Sequence, residues 1–148
     1  MITIDIVNQT LIFQNRSYAI SSAANGVGER EGSFCTPLGK FKIAEKIGAD
    51  LVPNSVLKGR VFTGEIYTFD LAQKHPDRDW ILTRILWLDG IESHNKNTKS
   101  RYIYIHGCPD ETPMGSPGSK GCIRMHNKDL IELFDLVQIG EDVAIIAS

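Results

Sequence analysis

Ile2, Ile4 and Ile6 alternate with Thr3 and Asp5 at the start of the chain, the period-two pattern of a half-buried strand. Asn8-Gln9 offers a turn, and short apolar runs follow at Leu11 to Phe13 and Tyr18 to Ile20, separated by Asn15-Arg16. The spacing predicts a meander of short antiparallel strands. Ala24 to Gly32 is glycine-rich and polar and reads as a loop. Thr36-Pro37-Leu38-Gly39-Lys40 then turns the chain into the apolar stretch Phe41 to Ala44.

Gly48 to Arg60 shows no period and reads as a loop, whereas Ile66 to Phe69 and Trp80 to Leu88 carry the aromatic and β-branched residues of strands. His75 to Asp79 and Glu92 to Ser100 are polar connections. Arg101 to His106 is a strand pattern ending at Gly107, followed by a Pro-, Gly- and Ser-rich loop from Cys108 to Lys120. Beyond Gly121 to Met125, Leu130, Leu133, Phe134 and Val137 fall at i, i+3, i+4 and i+7, one apolar stripe of a helix, with Asn127 as its expected N-cap. Gly140 ends that region, and Val143 to Ala147 reads as a last strand. Residues 1–148 therefore form one mainly-β domain with one helix, and no internal repeat or linker divides it.

Composition narrows the function classes. A net charge of -2 and a pI near 6.1, with no basic cluster, argue against a nucleic-acid or polybasic membrane surface. No apolar run approaches a transmembrane length, so membrane insertion is not expected. The N-terminal segment lacks a basic n-region and a continuous apolar core, which leads to the expectation of a cytoplasmic protein. Three cysteines make an odd number with no disulfide spacing, and free thiols fit that compartment.

The chemistry concentrates at His106-Gly107 and, sixteen positions later, Cys122 inside Ser119-Lys120-Gly121-Cys122-Ile123-Arg124. A cysteine attacks as thiolate, and an imidazole beside it can take the proton. Gly121 permits close backbone approach, and the N–H groups of Gly121 and Cys122 are candidate oxyanion donors. Cys35 and Cys108 read as bystanders. A different reading gathers His106, Cys108, Cys122 and His126 around zinc, although the spacing lacks the usual Cys-x2-Cys knuckle. Tyr102 and Tyr104 alternate with isoleucines, so one face of their strand should be buried and the other lean towards the site or solvent. No phosphate loop, dinucleotide fingerprint or carboxylate pair is present, and acyl transfer on cysteine requires no cofactor.

Ser119-Lys120-Gly121-Cys122-Ile123-Arg124, preceded by Ile105-His106-Gly107 and by Thr36-Pro37-Leu38-Gly39-Lys40-Phe41, resembles the signature of the L,D-transpeptidase catalytic domain. The resemblance covers nearly the whole chain. It implies a β-sandwich of mixed and antiparallel strands with a short helix after the nucleophile loop. It also implies that Cys122 attacks the bond between the diamino acid and D-alanine of a peptidoglycan stem tetrapeptide. His106 is then the base, the Gly107 carbonyl holds its ring, Ser119 shapes the nucleophile loop, and Arg124 braces it or faces a substrate carboxylate. Tyr104 is expected at the substrate. Lys120 stands where many members carry histidine, and a cation there would favour thiolate while altering substrate preference. Some family members resemble this compact, unexported type and act as L,D-carboxypeptidases, so water is the expected acceptor of the thioester, with a muropeptide as substrate. Cross-linking by transpeptidation is the alternative, and a catalytically silent peptide-binding domain is the reading from another class. A lid over the site is expected somewhere in Gly48 to Ser100.

Overall fold

The computed structural model describes residues 1–147. In chain order the elements are β1 (Ile2–Asp5), β2 (Thr10–Phe13), β3 (Arg16–Ser21), β4 (Gly39–Ile47), β5 (Ser55–Lys58), β6 (Val61–Ile66), α1 (Phe69–Lys74), β7 (Ile81–Gly90), β8 (Tyr104–Gly107), β9 (Ile123–Met125), α2 (Asn127–Leu136) and β10 (Asp142–Ile146). The first three strands are the meander that the alternation predicts, with Ile2, Ile4, Leu11 and Ile20 fully buried.

Hydrogen bonding orders the strands β4-β10-β1-β2-β3-β9-β8-β7, and a β7–β4 pairing closes the ring into a barrel-like sandwich. Closure protects the strand edges that an open sheet would leave available for pairing. Most neighbours are antiparallel, whereas β1–β10 and β8–β9 run parallel. A parallel neighbour needs a long return connection. For β8 and β9 that connection is the irregular segment 108–122, which delivers Cys122 beside the strand that carries His106.

The interior is filled from every strand of the ring and from α2. Phe41, Ile43, Leu86, Leu88, Ile105 and Ile123 meet Leu130, Leu133 and Phe134 of the helix in one cluster. Each such side chain contributes about 1.5–3 kcal/mol of hydrophobic stabilisation when fully buried. A second, smaller cluster of Leu57, Ile85 and Tyr104 lies on the other side of β7 and β8, with Trp87 and Cys122 packed against it.

Three expectations are corrected. The segment Gly48 to Arg60 contains β5, which pairs with β6 and β7; it is short and includes the buried polar Ser55, so no apolar period exposes it. The strand expected from Ile66 to Phe69 is instead the end of β6 and the start of α1, whose N-cap Thr68 accepts a hydrogen bond from Leu71 N–H at 3.1 Å. That helix buries none of its residues, so it leaves no apolar stripe to read. Finally, Asn127 is not the N-cap of α2: His126 holds that position, and Asn127 is the first helical residue with its side chain turned into the protein.

Candidate active site

Strand alternation decides which side chains meet. On the β8–β9 ladder, Ile105 opposes Ile123 and His106 opposes Arg124. Ile105, Ile123 and Met125 are wholly buried in the main core. Because successive side chains in a strand point to opposite faces, Tyr104, His106, Cys122 and Arg124 share the other face. The backbone N–H of Tyr104 lies 3.3 Å from Cys122 Sγ, and the thiol lies 3.4 Å from the Tyr102 carbonyl. Neither bond involves His106.

Cys122 sits on a loop tied down from three directions. Ser119 Oγ donates to the Cys122 carbonyl at 2.5 Å and accepts from Gly121 N–H at 3.2 Å. Thr36, buried at the start of the Thr-Pro-Leu-Gly-Lys-Phe segment, donates to the Gly121 carbonyl at 2.9 Å while accepting from Ala23 N–H at 3.0 Å. The N–H groups of Gly118 and Ser119 both donate to the Ser22 carbonyl. Gly121 adopts φ +128°, where a side chain would be strained, and a Cβ would lie 3.3 Å from the Cys35 carbonyl. One expectation changes here. Gly121 N–H is engaged by Ser119 Oγ, which leaves Cys122 N–H as the backbone donor of that pair available to an oxyanion.

His106 is buried, and its Nδ1 lies 2.6 Å from the Gly107 carbonyl. A carbonyl only accepts, so Nδ1 carries the hydrogen and Nε2 carries the lone pair. Burial lowers the pKa of His106, and Arg124 lowers it further, while the Gly107 carbonyl and Asp79 act in the opposite sense. The imidazole is therefore biased towards its neutral, basic form.

Behind His106 the β7 strand bulges. Leu82 pairs with Gly107 and Ile85 with His106, so Thr83 and Arg84 are the extra residues opposite the histidine. Thr83 is buried at φ +75°, a conformation costing a β-branched residue about 1–3 kcal/mol. Its hydroxyl donates to Asn127 Oδ1 at 2.7 Å and accepts from Asn54 N–H at 3.0 Å. Asn127 Nδ2 in turn reaches Asn54 Oδ1, the Cys108 carbonyl and Asp110 Oδ1 at 3.0, 2.9 and 3.2 Å. Gly107 fits tightly against this knot: a Cβ there would collide with Asn127 Oδ1 and lie 2.5 Å from the Leu82 carbonyl.

Arg124 donates to the Gly118 carbonyl at 3.0 Å and to Asp79 Oδ1 at 3.2 Å, spanning the nucleophile loop and the segment before β7. The Cys122 thiol is pushed up to about 12, chiefly by burial; Tyr104 N–H, Arg124 and Arg101 favour the thiolate and Asp79 opposes it. Lys120 is exposed on the rim of the cleft that Cys122 lines. Cys122, Tyr104, Lys120, Asp79 and Arg60 line an open cleft of about 530 Å³.

Leu57, Gly59 and Arg60 of the β5–β6 hairpin line one part of this cleft. Cys108 is buried away from the cleft chemistry; its thiol donates to the Met125 carbonyl at 3.3 Å and is pushed up to about 11 by burial. Cys35 braces through its carbonyl, which accepts from Arg101 at 2.8 Å. Among the described residues no group of three or more His, Cys, Asp or Glu side chains is placed to hold a metal ion. The sequence reading missed Thr83, Asp79 and Arg60. Thr83 lies within an expected strand and Asp79 at the end of a polar connection, and only the folded geometry brings them to the site.

The L,D-transpeptidase catalytic domain model matches residues 1–146. The chain belongs to the L,D-transpeptidase catalytic domain family. The protein named L,D-transpeptidase YkuD from Bacillus subtilis strain 168 is 54% identical over 71% of this chain and 65% of its own length. L,D-transpeptidase YqjB of the same strain is 42% identical over 34% of this chain and 28% of that protein. The match to YkuD thus spans just under two thirds of that relative. An L,D-transpeptidase from Mycobacterium smegmatis superposes with a TM-score of 0.60 at 16% identity, over 99% of this chain and 58% of that one. A C442S mutant of the Enterococcus faecium L,D-transpeptidase gives 0.59 at 19% identity, over 98% and 48%. At these identities the superpositions establish a shared fold.

Within this L,D-transpeptidase domain the sequence motifs acquire physical meaning. The Thr36 hydroxyl joins the Thr-Pro-Leu-Gly-Lys-Phe turn to the carbonyl next to the nucleophile. The serine two positions before Gly121 clamps the loop from inside, and Arg124 clamps it from the strand that follows.

Proposed function

We propose that this domain catalyses cysteine acyl transfer on peptidoglycan stem tetrapeptides, cleaving the diamino acid–D-alanine bond and passing the acyl group to water. The observation that supports this reading is the β8–β9 ladder: His106 and Arg124 stand on the same face as Cys122, which lines the cleft, and burial biases the imidazole towards its neutral form. In the reaction, His106 Nε2 takes the thiol proton as Sγ attacks the carbonyl, and Cys122 N–H supports the oxyanion. Collapse of the tetrahedral intermediate forms the thioester, and the proton returns to the leaving D-alanine amine. Water, deprotonated by the same imidazole, then attacks the thioester and frees the tripeptide and the thiol.

Burial favours the neutral thiol of Cys122, so in this reading proton transfer accompanies attack or follows substrate binding. Cys122 is partly exposed and lines the open cleft, which gives water a route to a thioester formed there. A second acceptor is favoured by one feature. A cavity of about 310 Å³ containing Glu31 and Arg101 shares Phe34, Tyr102 and Lys120 with the cleft, giving room for an amine-bearing strand.

Incubation with a disaccharide-tetrapeptide, followed by mass spectrometry, tests both. Loss of one D-alanine to give tripeptide, absent in Cys122→Ala, is the expected result. Cross-linked dimers or exchanged D-amino acids without free tripeptide would replace hydrolysis by transpeptidation. A cytoplasmic location would go with soluble muropeptides as substrate, and cell fractionation placing the protein outside the membrane would turn the proposal towards cross-linking.

A further inference from the structure

The tip of the β5–β6 hairpin presents a cation to the cleft. Lys58 pairs with Val61, so Gly59 and Arg60 form a two-residue loop, with φ +55° and +65°. Left-handed φ at both positions is the turn that matches hairpin twist, and Asn-Gly is its usual sequence. An arginine there gives up backbone preference for side-chain placement. Its NH1 donates to Tyr104 Oη at 3.1 Å, and its guanidinium carbon lies 4.7 Å from the Trp87 ring centre and 5.1 Å from that of Tyr102. Both rings lie within the range of cation–π attraction.

Arg60 forms none of the ion pairs found among the described residues. Glu45, whose charge reaches it, is paired with Lys99 at 3.6 Å. A guanidinium offers five N–H donors in a planar fork, and Tyr104 takes one. The same tyrosine connects the two ends of the cleft: its backbone N–H contacts Cys122 Sγ and its hydroxyl contacts Arg60. Asp79, the carboxylate lining the cleft, is paired with Arg124.

The geometry points to Arg60 as a carboxylate-binding residue of the cleft, anchoring a free carboxylate of the peptide whose carbonyl Cys122 attacks. The proposal rests on reading the cleft as a peptide acyl-transfer site. A carboxylate would meet the fork of Arg60 with two parallel hydrogen bonds, an arrangement that lysine's point charge does not reproduce. Aromatic rings hold the guanidinium from the sides, so little side-chain freedom remains to be lost on binding. The shared chemistry admits two sources, the terminal carboxylate of the leaving residue or the side-chain carboxylate of the diamino acid.

Calorimetric binding of tetrapeptides to Cys122→Ala protein, with and without Arg60→Gln or Arg60→Lys, measures this without turnover. Three peptides are compared: free at both carboxylates, amidated at the C-terminus, and amidated on the third residue. One amidation should weaken binding roughly 10- to 100-fold, the range of a hydrogen bond to a charged group. Arg60→Gln should weaken the free peptide by the same factor and abolish that discrimination, with Arg60→Lys between. Sensitivity to C-terminal amidation places the carboxylate on the leaving residue, and sensitivity at the third residue places it on the acyl side. Unchanged affinity in Arg60→Gln, or no binding of the free peptide, overturns the proposal. Turnover by the unsubstituted protein tests the reaction separately, so carboxylate binding can fail while the reaction stands, and the reverse.

Discussion

On the inner face of the β8–β9 ladder stand Ile105, Ile123 and Met125; on its outer face stand Tyr104, His106, Cys122 and Arg124. The same strands thus serve two environments. The inner residues are held by volume and apolarity, and their partners come from every part of the ring. The outer residues and the loop that carries Cys122 are held by directed hydrogen bonds, some from nearby Gly107 and Ser119 and some from the distant Thr36 and Asp79. Packing tolerates exchange of one hydrophobe for another, whereas a hydrogen-bonded support does not tolerate loss of its donor.

Paired substitutions give the largest contrast. Cys122→Ala should remove activity by a factor on the order of 10⁶, the scale seen when a nucleophile is deleted, while changing stability by about 1 kcal/mol or less. Ile105→Ala should do the opposite: a loss of about 2–5 kcal/mol from the cavity it leaves, with kcat/KM close to that of the parent at temperatures where it is folded. Muropeptide turnover and urea melts of both proteins check this. A folded Ile105→Ala protein without activity would mean that the two faces are not separable.

The sequence made the inner face legible and the outer face only partly so. Alternation marks Ile2, Ile4 and Ile105 as candidates for the core, and the i, i+3, i+4 stripe marks α2, because burial imposes a period on composition. His106 and Cys122 were found as reactive residue types beside glycine. Their supports carried no comparable signal. Thr83 sits in an apolar strand run and shows itself only through a bulge and a positive φ. Asn127 precedes a helical stripe, where a capping role is the ordinary inference, yet its amide is buried in a polar knot. Arg60 reaches the cleft through a hairpin turn without the usual Asn-Gly.

The knot behind His106 gives the next effect in size. Thr83→Val keeps the shape but leaves Asn127 Oδ1 and Asn54 N–H without that partner, a loss of about 1–3 kcal/mol; Thr83→Ser should recover most of it. The Gly107 carbonyl raises the His106 pKa, so loosening Gly107 lets that pKa fall. The acid limb of kcat/KM in Thr83→Val should move to lower pH while kcat drops, and Thr83→Ser should restore both. Lost stability with an unmoved limb would confine Thr83 to a structural role.

Titration of His106 should also appear in stability. Its folded pKa lies below the ordinary 6.5, so the unfolded chain takes up its proton first as pH falls. The contribution is fully present above about 6.5 and is lost as pH drops through the lowered value. Urea unfolding midpoints measured downwards from pH 7 should decline in the parent and decline less in His106→Gln, once each is normalised to its own value at pH 7. Parallel curves would show that burial does not hold the imidazole neutral.

The smallest effect is the most specific to the outer face. Asp79 raises the pKa of both His106 and Cys122, and Arg124 lowers both, while the two are paired with each other at 3.2 Å. Asp79→Asn should therefore shift the acid limb of kcat/KM to lower pH and the onset of Cys122 alkylation by iodoacetamide to lower pH. Arg124→Gln should shift both to higher pH. Arg124 also holds the Gly118 carbonyl, so a general loosening of the nucleophile loop is the competing explanation for its effect. Loosening would disturb activity without a fixed sign, and Asp79→Asn leaves that loop contact in place. Opposite shifts in the two variants, each moving imidazole and thiol together, would establish an electrostatic pair acting on both reacting groups. Shifts of the same sign would assign Arg124 to bracing alone.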